Sequence, residues 1–273
     1  MGAGGRFSLQ TALAATLADN RTMTHPLTIL TGATRGMGRA MASQLLRAGG
    51  VLLCISRGTD ATLAEEAQRA GAVLHQWPHD LSQPQALTPR LRQWLAAQPA
   101  GSFSHATLIN NAALLPPIAP LRDAEDDALV PALRVGLEAP MLLTAAFLAA
   151  TRGWAAQRRV LNISSGLGRR AMASQSGYCA VKAGMDHFTR CLSLEEAALP
   201  NGARVCSLAP GVIDTAMQVQ LRGTDAARFP DVGNFIGLKD KGLLASPEAA
   251  ARQVLAWLER PDFGANPVAD VRD

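Results

Sequence analysis

The chain has 273 residues, 48% of them hydrophobic, which is enough for one large α/β core, and no composition break marks a linker. Its net charge of +4 comes from scattered basic residues, so a concentrated nucleic-acid face is not expected. The longest apolar stretch, around 139–150, is interrupted by Thr144 and too short for a bilayer span, and the 4 cysteines lack paired metal-ligand spacing.

Residues 1–22 carry Arg6 and a weak apolar run from Leu9 to Ala18, a faint secretory pattern; they read better as a disordered extension, with Met23 as an alternative start. Leu27–Leu30 is a short buried-strand run. It leads into Thr31-Gly32-Ala33-Thr34-Arg35-Gly36-Met37-Gly38 and a helical segment reaching Ala48. A strand, a glycine-rich turn and a helix start in that order make an anion site. Glycines let the backbone approach a pyrophosphate, and the helix N-terminus presents free N–H groups. A second strand, Val51–Ile55, ends in Ser56-Arg57. An acidic residue there would bind the ribose hydroxyls of NAD; its absence, with Arg57 and Arg35 at hand, favours the 2′-phosphate of NADP(H).

Helix and strand patterns then alternate. A helix over 59–70 leads to a strand over 72–77 and to His79-Asp80-Leu81; a helix over 84–97 leads to a strand over 105–109 ending in Asn110-Asn111-Ala112-Ala113. A long helical region, 123–151, precedes the strand 158–163, which ends in Ser164-Ser165 followed by Gly166 and Leu167. A helix over 175–198 leads to a strand over 203–208 and Pro210-Gly211-Val212. From Gly211 to about Leu244 the pattern loosens into what reads as an irregular insertion beside the site. Met217, Leu221, Phe229 and Phe235 there read equally as lining or as filler. Ser246-Pro247-Glu248 opens a last helix, and 266–271 closes the sheet. Cys54, Cys179, Cys191 and Cys206 read as reduced core thiols of a cytoplasmic protein.

Such alternation requires crossover helices. It predicts one doubly wound, Rossmann-type, mostly parallel sheet of seven strands with helices on both faces. Ligands bind at the carboxyl ends of the strands, where the glycine turn, Asp80, Asn110, Ser165 and Pro210-Gly211 all fall. After the strand that ends at Ser165 the chemistry becomes specific. Tyr178 and Lys182 are four apart on a predicted helix, hence on one face. A phenol with an ordinary pKa of about 10 becomes a useful proton donor or acceptor when an ammonium favours its phenolate.

With these residues in view the chain, from about Met23 onward, resembles the short-chain dehydrogenase/reductase family. Thr31 to Gly38 matches the family's Thr-Gly-x-x-x-Gly-x-Gly turn, and Asn110-Asn111-Ala112-Ala113 its Asn-Asn-Ala-Gly segment save the last residue. Ser165, Tyr178 and Lys182 have the catalytic spacing, and Pro210-Gly211 with Thr215 matches the segment that touches the nicotinamide carboxamide. The resemblance implies reduction of a carbonyl by NADPH, with Tyr178 giving the proton, Ser165 holding the oxygen, and Lys182 lowering the Tyr178 pKa and binding the nicotinamide ribose. By the same analogy the cofactor lies against Gly32, Thr34, Arg35, Gly36, Met37, Gly38, Ser56, Arg57, Asp80, Leu81, Asn110, Asn111, Ala112, Pro210, Gly211, Val212 and Thr215. Within the family, Tyr178-Cys179-Ala180-x-Lys182-Ala183, Asp214-Thr215-x-Met217-Gln218 and the ending Asp270-Val271-Arg272-Asp273 resemble sepiapterin reductases and bacterial benzil reductases, which reduce vicinal dicarbonyls. That likeness implies a substrate site at Ser165, Gly166, Leu167, Met217 and Leu221, with Asp270 matching the acid that anchors a pterin.

Two departures stand out. Gly136 replaces an Asn that many members carry in a Val-Asn-x-x-x-Pro context to support a proton relay; a glycine has only its carbonyl to offer. Ala113 replaces a glycine. Alternative readings are a 3-oxoacyl thioester or simple alcohol oxidoreductase, or a weakly catalytic NADP(H) sensor. The resemblance further implies homodimers packed through the helices near Asp123 and Gln175, with a tetramer left open, and neither nucleic-acid nor membrane partners.

Overall fold

The computed structural model describes residues 25–273, so the expected extension at 1–22 and the alternative start at Met23 lie outside the described residues. Strands β1 (His25–Thr31), β2 (Val51–Ser56), β3 (Val73–Pro78), β4 (Phe103–Asn110), β5 (Gln157–Ile163), β6 (Arg204–Ala209) and β7 (Val268–Asp270) form one sheet in the order β3-β2-β1-β4-β5-β6-β7. Every neighbouring pair is parallel. Parallel neighbours need crossover helices, and these cover both faces. Strand alternation therefore feeds two cores rather than one. Leu27, Ile29, Leu53 and Ile55 face α3 (Leu87–Ala96) and α5 (Ala139–Thr151), while Leu30, Leu52 and Cys54 face α1 (Gly36–Ala48) and α9 (Pro247–Leu258).

β1 pairs with both β2 and β4, so the chain reverses its direction of winding at the carboxyl end of β1. The loops after β1 and β4 part there and leave a crevice. The remaining elements frame it: α2 (Ala61–Ala70), α4 (Asp126–Leu133), α6 (Ser176–Ala197), α7 (Ala216–Arg222) and α8 (Val232–Asp240).

Three expectations are corrected. The insertion after Gly211 is not irregular, because α7 and α8 pack through Leu221, Phe229 and Val232 against Ile118. Phe229, fully buried, is filler, whereas Met217, Leu221 and Phe235 line the crevice. The cysteines divide: Cys54 and Cys206 are buried in the core, Cys179 is half-buried and Cys191 is exposed. The stretch Asp126–Thr151 is long and apolar enough to cross a membrane by length and composition, contrary to the shorter run read from sequence. In the fold it is a core-facing element, with Leu143, Ala146 and Phe147 fully buried.

That stretch is also not one α-helix. Between α4 and α5 the chain makes a π turn, Arg134–Glu138, in which the Ala139 N–H bonds the Arg134 carbonyl. Pro140 has no N–H, so the Gly136 carbonyl four residues earlier has no α-helical donor. Gly136 is required by packing, since a Cβ there would sit 2.5 Å from Val181 Cγ1 on α6. Gly136→Asn should therefore lower stability by about 1–3 kcal/mol, a typical overpacking cost. Combining it with Val181→Ala should recover part of that loss, a coupling of about 1 kcal/mol that urea melts of the four chains would read. Strict additivity would show that the two positions do not contend for the same space.

Candidate active site

The strand-end residues converge on one cleft of about 1050 Å³. At its cofactor end, the turn between β1 and α1 is drawn tight: a Cβ on Gly38 would lie 2.0 Å from the Gly32 carbonyl oxygen. Gly32 itself has φ 74°, open to glycine and strained for other residues. Helix α1 begins at Gly36 with no side-chain cap and no acid in its first turn, which leaves its N–H groups free for an anion. Ser56 Oγ accepts from the Ala33 N–H at 2.8 Å and so braces the turn from below.

Three arginines lie near this end, and they are used differently. Arg39 is spent on Asp60 (2.5 Å) and Glu66 (2.7 Å). Arg35 and Arg57 are exposed on the cleft wall and form no salt bridge among the described residues, although the Arg57 charge is felt by Asp80. Asp80 also lines the cleft, held below the usual carboxylate range by the Ser82 N–H that it accepts at 2.9 Å. The glycine cradle, the uncapped helix start and two free guanidinium groups fit a dinucleotide bearing an extra phosphate.

The two asparagines at the end of β4 part company. Asn111 lines the cleft, its Nδ2 donating to the Thr31 carbonyl at 2.9 Å. Asn110, expected at the cofactor, is 2% exposed and lies in the core, where its Nδ2 bridges Asn162 Oδ1 (2.8 Å) and Thr144 Oγ1 (3.2 Å). Successive residues of a strand point to opposite sides, so only one of the pair reaches the cleft.

The remaining expected residues line the same cavity: Gly32, Thr34, Met37, Leu81, Ala112, Pro210, Gly211, Val212, Thr215, Ser165, Gly166, Leu167, Tyr178 and Lys182. Ser165 caps the short turn Gly166–Gly168, its Oγ accepting from the Leu167 N–H at 3.2 Å. Burial pushes the Tyr178 phenol up to about 12, against a smaller lowering by the neighbouring Ser165. Lys182 is 2% exposed; its Nζ donates to the Ile163 carbonyl at 2.6 Å and lies 5.7 Å from the Tyr178 ring centre. The expected lowering of the Tyr178 pKa by Lys182 is thus absent from the resting site, where desolvation prevails and the phenol keeps its proton.

Sequence reading missed Asp186, one turn beyond Lys182 on α6 and 1% exposed. Its Oδ1 accepts from Ser164 (2.5 Å) and Ser207 (2.7 Å), tying the catalytic helix to β6 and to the residue before Ser165. Its other oxygen faces Arg169 Nε at 3.6 Å. Burial pulls Lys182 down to about 8, and the Asp186 charge opposes that fall. Asp186→Asn removes the opposing charge, so the Lys182 ammonium should be lost at lower pH. The alkaline limb of the pH–rate profile should move from near pH 8 toward neutrality; an unmoved limb would leave Asp186 as a strand clamp alone.

At the substrate end, Gly166, Leu167, Met217 and Leu221 line the wall as expected, joined by Phe235 and Leu238. Asp270 also lines it, but as half of an ion pair: Arg272 Nε and Nη2 donate to its two oxygens at 2.7 and 2.6 Å. Arg272 holds that carboxyl below the usual range, so the acid is already matched within the protein. Gln175, Gln218, Arg169 and Arg170 complete the wall; of these only Gln218 fell within a motif read from the sequence.

A family model described as short chain dehydrogenase matches residues 27–226. Among curated relatives, a benzil reductase ((S)-benzoin forming) from Bacillus cereus is 34% identical over 237 residues, 86% of this chain and 94% of that protein. A sepiapterin reductase from Xenopus tropicalis is 30% identical over 250 residues, 85% of this chain and 91% of that protein. Among solved structures, a short-chain dehydrogenase/reductase from Burkholderia vietnamiensis is 33% identical with a TM-score of 0.59, covering 91% of this chain and 98% of its own. The KRED1-Pglu enzyme aligns with a TM-score of 0.74 at 25% identity, covering 89% and 99%.

Proposed function

Because the chain belongs to the short-chain dehydrogenase/reductase family, and so is an oxidoreductase, we propose that it is an NADPH-dependent reductase of vicinal dicarbonyls. The observation that carries this reading is the meeting of Ser165, Tyr178 and Lys182 in one cleft with two unpaired arginines at its far end. The bound nicotinamide would supply the hydride. The protein supplies the proton and holds the oxygen.

Ser165 Oγ accepts from Leu167, which leaves its own O–H free to donate to a carbonyl oxygen. Tyr178, kept protonated by burial, is the acid. As hydride reaches the carbonyl carbon, the oxygen becomes basic and takes the Tyr178 proton; the product is the hydroxyketone and the residue is left as phenolate. The Lys182 ammonium, 5.7 Å from the Tyr178 ring centre, then favours the phenolate, here and not in the resting state. In the cofactor half, Gly32, Gly36 and Gly38 would take the pyrophosphate, and Arg35 with Arg57 the 2′-phosphate.

The benzil and sepiapterin reductase relatives support a dicarbonyl substrate. The Asp270–Arg272 pair favours the diketone over the pterin, since the expected anchoring acid is already neutralised. Apolar residues left exposed on the long helical stretch, Val130, Leu133 and Met141, with Leu194 on α6, support a homodimer through those helices. A cytoplasmic enzyme accords with unpaired cysteines.

The test is a panel at fixed NADPH: benzil, a short aliphatic diketone, sepiapterin and an acetoacetyl thioester. Highest kcat/KM on a diketone is expected; a clear preference for the thioester would overturn the assignment.

A further inference from the structure

Ser174 takes a backbone conformation that its side chain resists: its φ of 62° is the only positive value outside glycine among the described residues. It is the third residue of a turn closed by the Gln175 N–H on the Met172 carbonyl at 3.3 Å, and it stands four residues before Tyr178. Glycine serves such a turn position without strain, whereas a Cβ crowds the backbone there. Strain of this kind persists only where the surrounding structure holds it, and it gathers at functional sites. What serine adds over glycine is a hydroxyl. That hydroxyl is engaged, since Ser174 Oγ donates to the Arg228 backbone carbonyl at 2.6 Å.

The contact joins two parts of the molecule that meet at the substrate end of the cleft. Ser174 leads into α6, which carries Tyr178 and Lys182. Arg228 lies in the link between α7 and α8, next to Phe229. Phe229 is fully buried, its ring 5.4 Å from that of Phe235, and it packs with Leu221, Val232 and Ile118. Met217, Leu221 and Phe235 of this lobe form an apolar wall of the cleft. Among the described residues, the Ser174 bond is the only hydrogen bond from α7, α8 or their link to any residue before Asp214. Apart from apolar packing, the lobe is therefore fixed to the catalytic helix at one point.

We infer that Ser174 is a positioning residue that latches the α7–α8 lobe to the catalytic helix and so sets the distance between the apolar wall and Tyr178. The inference rests on the reductase reading above, which gives that wall to the substrate. A small ketone is held by Ser165 and Tyr178 and does not feel where the wall stands. A bulky one, with a ring against Met217, Leu221 or Phe235, does. Selectivity for large over small substrates then depends on a hydroxyl that does not line the cleft.

Two variants separate the hydroxyl from the backbone. Ser174→Gly removes the hydroxyl and relieves the turn; Ser174→Ala removes the hydroxyl and keeps the strain. Urea midpoints should therefore differ, with the glycine chain above the alanine chain. Kinetics should not. In both variants KM for benzil is expected to rise roughly three- to tenfold, the scale of one neutral hydrogen bond, while kcat, KM for a short aliphatic diketone and NADPH binding stay within about twofold. Hydrogen exchange gives a readout that needs no turnover: amides of α8 should exchange faster in both variants, while those of β1 keep their wild-type rates. A KM that follows the order of stability, or a wild-type KM in Ser174→Gly, would leave Ser174 a strained turn and overturn the inference. Unchanged exchange in α8 would overturn it as well. Turnover of no carbonyl by the wild type would instead remove the reductase reading, and the exchange rates would still decide whether the latch exists.

Discussion

Tyr178→Phe should lower carbonyl reduction by roughly 10³-fold, the usual scale for loss of a positioned general acid, while NADPH binding changes by no more than about twofold. The ring is retained, so its packing and its place beside Lys182 survive. What is lost is the one proton the site holds ready. Burial pushes the phenol up to about 12, so it is protonated throughout the neutral range and no acidic limb should arise from it. Lys182, pulled down to about 8, should impose the alkaline limb: its charge is present below that value and lost above it. Retained turnover in Tyr178→Phe would remove it from the acid role, and the absence of an alkaline limb near pH 8 would separate Lys182 from the pH dependence.

Arg35→Ala combined with Arg57→Ala should weaken NADPH by about 10²-fold or more and leave NADH within a fewfold. Hydrogen bonds to charged groups contribute about 1.5–3 kcal/mol each, and neither guanidinium group is held in a salt bridge among the described residues. Arg39 provides the internal comparison. It is as basic and close in sequence, yet Asp60, Glu66 and Thr62 already use it. Arg39→Ala should therefore disturb the packing of α1 on α2 without changing the ratio of the two cofactors. Equal losses of NADPH and NADH in the double variant would show the phosphate assignment to be wrong.

Much of the site was legible because its residues follow rules of backbone geometry. Tyr178 and Lys182 share a helix face, Ser165 ends a strand, and Gly32 and Gly38 mark a turn that no Cβ fits. Asn110 was misplaced because two adjacent asparagines are chemically alike and only the pleat decides which faces the core. The helices after Gly211 were hidden by their glycines. Gly233 and Gly237 lie within α8 with open space around them, so they weaken the helix pattern without ending the helix. Asp186 went unread because an i, i+4 spacing from Lys182 carries no mark of burial. Gln175 belongs to no motif, and only the fold shows that Gln218 Oε1 is buried without a partner. The π turn at Arg134–Glu138 was half legible: Pro140 signals a missing donor, but the contact between Gly136 and Val181 is tertiary.

The most direct test of the central claim is the initial rate of NADPH absorbance loss with benzil, with NADH in parallel and Tyr178→Phe as the control. Oxidation of NADPH at least about tenfold faster than NADH, and abolished in the variant, is the predicted result, the margin following from the two unpaired guanidinium groups. Tight NADPH binding with no turnover on benzil or any other dicarbonyl would contradict it.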